Sequence, residues 1–217
     1  MEDVNHQAET TRLETFCDGV FAIAITLLVL ELIQILNLQT EGGILKSFLH
    51  HWQPFLAFLV GFMTIMVCWV NHHHAFQYID KTDDGFMWVN GFLLFMVTLT
   101  PLATAILAES IETDGKTALT IFGLNFFLIA IAAYLICKYA YDRKLVAEKS
   151  REYFRCIKKT YGISILYTLV VFIICFISPY IAIVLYIIMF AVFALPKNFA
   201  NFLLSRERKK GILSIKS

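Results

Sequence analysis

The stretch that decides the fold runs Arg12-Leu13-Glu14-Thr15-Phe16-Cys17-Asp18-Gly19-Val20-Phe21-Ala22-Ile23-Ala24-Ile25-Thr26-Leu27-Leu28-Val29-Leu30-Glu31. Asp18 and Glu31 bracket a charge-free run from Gly19 to Leu30, too short to cross a bilayer by itself. With carboxylates so close to its ends, a lipid-exposed position for this helix would be costly, which places it inside the protein. At 100° per residue, Ile23, Thr26, Leu27 and Leu30 fall within about 100° of one another and form a narrow stripe. Gln34 and Asn37 continue that stripe outward, while Asp18 points about 140° away from Ile23, toward neighbouring helices.

Working outward, the chain has 217 residues, of which 59% are hydrophobic and 16% charged, and its mean hydropathy is +0.69. A soluble domain needs roughly a quarter of its residues charged to cover its surface. This composition excludes an ordinary soluble enzyme and predicts an all-α integral membrane protein. Net charge is +1, which favours neither nucleic acid nor an acidic partner. Cys17, Cys68, Cys137, Cys156 and Cys175 show no paired spacing and read as buried free thiols. The polar first thirteen residues and the lack of a small-residue cleavage site argue against a cleaved signal.

Six spans are expected. The first covers about Gly19 to Leu36, then Trp52 to Asn71, Phe86 to Ala108 and Ala118 to Cys137. From Tyr161 to Leu195 no residue is charged, and one helix of that length would run roughly 50 Å, beyond a hydrocarbon core of about 30 Å. Ser178-Pro179 is the natural break, so helix five ends near Ile177 and helix six runs from Pro179 to about Leu195. The whole chain, 1–217, then forms one six-helix domain with a short N-terminal segment, 1–13, and a basic tail, 197–217. Of the 18 Lys and Arg, only Lys46 and Lys116 fall on the side opposite the termini. The positive-inside rule therefore puts both termini in the cytoplasm.

Candidate chemistry is sparse. His72, His73 and His74 are adjacent, and adjacent helical side chains splay by about 100°, so they cannot share one metal. Hydrogen bonding is their expected role, and neither a metal nor a cofactor is expected. An intramembrane enzyme or a coupled transporter would normally place charged groups or histidine at mid-membrane. The central thirds of the helices carry only Asn125 and the hydroxyls of Thr64, Thr98 and Thr100 as polar exceptions. A proton-coupled or other cation transporter stays as the alternative to a channel. The stripe itself reads either as packing or as a pore lining that gates by dewetting.

The string from Arg12 to Glu31 closely resembles the signature of the transmembrane protein 175 family of potassium channels: an Arg, three variable residues, Phe-Ser-Asp and an apolar first helix. The resemblance extends to Trp69-Val70-Asn71-His72-His73, to Trp88 and Asn90, and to Pro101. It implies a prokaryotic single-repeat member in the cell membrane, with four copies around a central pore lined by helix one. It also implies passive conduction of monovalent cations, with modest preference for potassium. Ile23 corresponds to the family's constriction; Thr26 supplies a hydroxyl toward permeating ions, and Leu27 and Leu30 supply further apolar rings. Arg12, Phe16, Cys17, Asp18, Trp69, Asn71, His72, His73, Trp88 and Asn90 are expected to form a network that holds the helices together. Cys17 departs from the family's serine, and a thiol is the weaker hydrogen-bonding group.

Overall fold

The computed structural model describes residues 2–37 and 52–193. Its elements are α1 (Glu2–Asn37), α2 (Trp52–Phe76), α3 (Asp84–Thr98), α4 (Thr100–Asp142), a single 3-10 turn (Glu148–Ser150), α5 (Arg151–Cys175) and α6 (Pro179–Phe193). Helices are what such a composition allows, because lipid offers no partner to a backbone N–H or C=O. Four stretches are long and apolar enough to cross a membrane: Ala8–Gln34, Trp52–Phe76, Asp84–Asp142 and Glu148–Cys175. A shorter apolar helix, Ile181–Phe190, follows them.

The third stretch has 59 residues, and a straight helix of that length would reach roughly 90 Å. It folds back instead. Asp114 leaves helical geometry at φ −147 and ψ 57, and its carboxylate accepts the Thr117 amide at 3.2 Å. Asn125 then donates to the Thr100 hydroxyl at 3.1 Å, although the two would stand roughly 37 Å apart on one straight helix. Nearer the termini of the hairpin, Tyr139 donates to Asp83 at 3.3 Å. The expected third and fourth helices are thus the two antiparallel arms on either side of Asp114. The first arm is interrupted at Leu99, between α3 and α4, where Pro101 occupies the opening turn of α4 and needs no backbone donor.

The other bounds shift for local reasons. α1 begins at Glu2 rather than near Gly19, since propagating an already nucleated helix adds one hydrogen bond per residue and no proline or glycine interrupts the segment before Arg12. α2 continues through its histidines to Phe76, because those side chains find partners. The turn before Pro179 closes as the sequence suggests, with the Ala182 amide on the Ser178 carbonyl at 3.1 Å. Tyr167 of α5 donates to the Leu185 carbonyl of α6 at 2.7 Å, locking these two helices antiparallel. The basic tail 197–217 and the loop that carries Lys46 lie outside the described residues.

The loops after α2 and α4 meet at one end of the bundle. Ile79 and Val146 form an isolated antiparallel bridge, and the Asp80 amide reaches the Leu145 carbonyl at 2.8 Å. Lys144 adopts φ 58 just past the end of α4, a left-handed conformation that favours glycine. In lipid, helices associate through close packing rather than water exclusion, so small residues matter at their crossings. Gly61 of α2 shows why: a Cβ there would lie 2.5 Å from the Thr104 hydroxyl and 3.1 Å from Leu28. The main core gathers Phe21 and Leu28 of α1 with Ile65, Phe86, Leu93 and Phe154. All five cysteines are buried free thiols.

Candidate functional site

α1 is held by a polar network at the end where the two loops meet. Asp18 accepts the Trp69 indole N–H at 2.8 Å, and one turn away Glu14 meets Nδ1 of His73 at 3.0 Å. Both pairs are four residues apart on their helices, so antiparallel α1 and α2 are joined by two rungs in register. Trp69 and His73 stack on each other at 5.9 Å, which fixes both rings. Gln77 extends this side by reaching Nε2 of His73 at 3.2 Å.

His72 faces elsewhere, as the 100° step between neighbours requires. Its Nε2 lies 2.9 Å from the Asn90 carbonyl oxygen on α3. The Asn90 amide in turn donates to the Cys17 sulfur at 2.9 Å. Because that amide is spent on Cys17, the Asn90 oxygen is left to accept, and the proton belongs on Nε2 of His72. Asn90 is fully buried, His72 is 4% exposed, and Phe21 packs over the imidazole with 5.4 Å between rings. A buried amide bridging two helices is costly to disturb, since either partner left alone keeps its desolvation penalty.

The opposite face of α1 is uncovered within the chain. Cys17, Phe21, Ala24 and Leu28 are buried, whereas Ile23 is 62% exposed, Leu30 54% and Leu27 39%. Thr26 and Gln34 share that open face. Asn37 closes the helix, and its side chain lies outside the described residues. The Thr26 hydroxyl donates to the Ile23 carbonyl at 2.8 Å, so its oxygen keeps free lone pairs directed away from its own helix. The open face of one chain thus carries an apolar stripe with one outward acceptor.

Not every signature residue joins the network. Arg12 is exposed and meets no carboxylate among the described residues. Phe16 is 63% exposed and Trp88 81%, both at the network end of the bundle. Asn71 is half-buried on α2, about 200° round the helix from Trp69 and His73 and so away from the two rungs. Conversely, Glu14 and Gln77 take part although the signature does not mark them. The spacing of Glu14, four residues before Asp18, was the available signal. A second cluster was not readable: Asp83 caps α3 through the Phe86 amide at 2.7 Å, and Tyr139 and Arg143 of the distant α4 converge on it.

Comparison with known proteins shows what the chain is similar to. Residues 12–101 match the family model described as "Endosomal/lysosomal potassium channel TMEM175". A protein from Chamaesiphon minutus named as a potassium channel is 39% identical over 91% of this chain and 100% of its own length. Another potassium channel, from a Chryseobacterium strain, is 32% identical over 85% of the chain and 92% of that protein. Among solved structures, the crystal structure of a lysosomal potassium-selective channel TMEM175 homolog from Chamaesiphon minutus superposes with a TM-score of 0.76. Its identity is 38%, over 88% of this chain and 99% of that one.

Proposed function

The chain belongs to the TMEM175 family, and from that membership we propose that it is a potassium-permeable channel whose path is lined by α1. The observation that carries this is the uncovered face of α1, on which the stripe lies together with Val29 and Ile33. Ile23, Leu27 and Leu30 are exposed while the far side of the same helix is fully buried, so the stripe awaits a partner that a single chain does not supply. Four copies around an axis, each contributing six spans, would turn those stripes toward one another. Phe16 and Trp88, both largely exposed beside the network, are then placed to pack against a neighbouring copy.

In this reading Ile23 forms the constriction, where an aliphatic ring excludes water and therefore ions when closed. Such a ring cannot replace the hydration shell of potassium. Conduction thus requires widening enough for a largely hydrated cation, with the Thr26 oxygens beyond it giving modest preference for potassium over sodium. Leu27 and Leu30 extend the apolar section, and Gln34 and Asn37 line the polar outer mouth. The network is positioning machinery: Asp18, Trp69, His72, His73 and Asn90 hold α1 at its register without touching ions. The bias of Lys and Arg to one side supports cytoplasmic termini, and the similarity to bacterial channels supports a prokaryotic cell membrane.

Single-channel recording on reconstituted protein tests the assignment. Ile23→Asn should raise the open probability at rest and alter conductance about tenfold or more, because a polar ring removes the dewetted barrier. Unchanged conductance and selectivity would remove Ile23 from the constriction.

A further inference from the structure

A cavity of about 70 Å³ lies between α2, α3, α4, α5 and α6, with His72 on its wall. Its volume holds a few water molecules. Thr64, Asn71, His72, Thr160, Tyr161, Ser164 and Thr168 line it together with the Cys68 and Cys137 thiols and apolar groups such as Ala133, and no charged side chain does.

Four hydroxyls of the wall share one chemical character. The Thr64 hydroxyl donates to the Val60 carbonyl at 2.8 Å and Thr160 to the Cys156 carbonyl at 3.1 Å. Ser164 donates to the Tyr161 carbonyl at 2.7 Å and Thr168 to the Ser164 carbonyl at 2.9 Å. Each hydroxyl proton is therefore spent on its own helix, and lone pairs remain. His72 adds another acceptor. Its Nε2 proton goes to Asn90, and its Nδ1 is buried without a hydrogen-bond partner. A bare buried ring nitrogen carries a desolvation cost that a donor would remove. Neither a cation nor an anion would find a charge to balance it.

We propose that this cavity is a binding site for a small neutral hydrogen-bond donor, water or a short-chain alcohol, whose occupancy is transmitted to α1 through His72, Asn90 and Cys17. A donor on Nδ1 holds the proton on Nε2 and so strengthens the bond to Asn90, which is the group that fixes Cys17 on α1. The coupling to conduction rests on the reading of α1 as the pore helix; the site itself does not.

Ethanol and dimethyl ether separate the chemistry, being isomers of which only ethanol carries a donor. In the full-length protein labelled with nitrogen-15 histidine, the His72 Nδ1 resonance should sit at the position of a hydrogen-bonded ring nitrogen. It should also move saturably with ethanol and stay put with the ether. A hydrogen-bonded position that ethanol cannot move assigns the site to water alone. A free-nitrogen position indifferent to ethanol overturns the proposal. In liposomes, saturating ethanol should change potassium flux about fivefold, the low end of ordinary coupling, relative to the ether. Ala133→Leu, which fills the cavity, and Thr168→Val, which removes an acceptor at equal volume, should each shrink that response. If Nδ1 responds and the flux ratio does not, transmission to α1 is overturned. A wild-type protein with no potassium flux defeats the channel reading, while the Nδ1 titration still reads the site.

Discussion

The two faces of α1 are built from similar residues and do different work. Phe21, Ala24 and Leu28 are buried against α2 and α3, whereas Ile23, Leu27 and Leu30 are apolar to the same degree and open. Hydropathy does not distinguish them. What does is the network at one end of the helix: Asp18 on Trp69, Glu14 on His73 and Cys17 under Asn90 set the rotation of α1 about its axis. With that rotation fixed, one face packs within the chain and the other stays open, the face proposed to line the path. Stability and conduction should therefore separate cleanly between the faces.

The hardest break is on the packed face. Phe21→Ala removes a fully buried ring that touches His72 and should cost about 3–5 kcal/mol, read as the unfolding midpoint of purified protein in detergent. Asn90→Leu keeps the volume but strands His72 and Cys17, and about 2–3 kcal/mol should be lost in the same measurement. An Asn90 variant with wild-type stability would mean that packing alone fixes the helix. Cys17→Ser moves the other way, since a hydroxyl is the better acceptor for the Asn90 amide; a gain of about 0.5–1 kcal/mol is expected. Lys144→Gly, which relieves φ 58 at the end of α4, should add up to about 1 kcal/mol without touching conduction. The smallest change in stability belongs to the open face. Ile23→Ala should move the unfolding midpoint of the isolated chain by less than about 0.5 kcal/mol, and a loss as large as that of Phe21→Ala would erase the distinction between the faces.

Much of this was legible in the sequence because it is periodic or punctuated. The stripe follows from spacing at i, i+3, i+4 and i+7, and the break before Pro179 from a missing backbone donor. The divergence of His72 from His73 is the 100° step itself. Other features escaped for equally physical reasons. Pairing of Asn125 with Thr100 needs the fold-back at Asp114, and nothing local announces which acidic residue in a polar loop will leave helical geometry. The Asp83 cluster draws on residues separated by most of a helical hairpin, and so does the bridge between Ile79 and Val146. Arg12 shows the opposite case, a marked residue that the single chain leaves exposed.

The sequence by itself determined that this is a helical membrane protein, where its helices turn, and which residues share a face of α1. Those properties depend on composition and on fixed helical geometry, and both are local. The tertiary structure decided which face is buried, which carbonyl or thiol each polar side chain meets, and that an uncharged cavity with polar groups in its wall lies beside His72. These depend on the rotation and approach of helices far apart in the chain, set by close contacts such as Gly61 against Thr104 that no local pattern encodes.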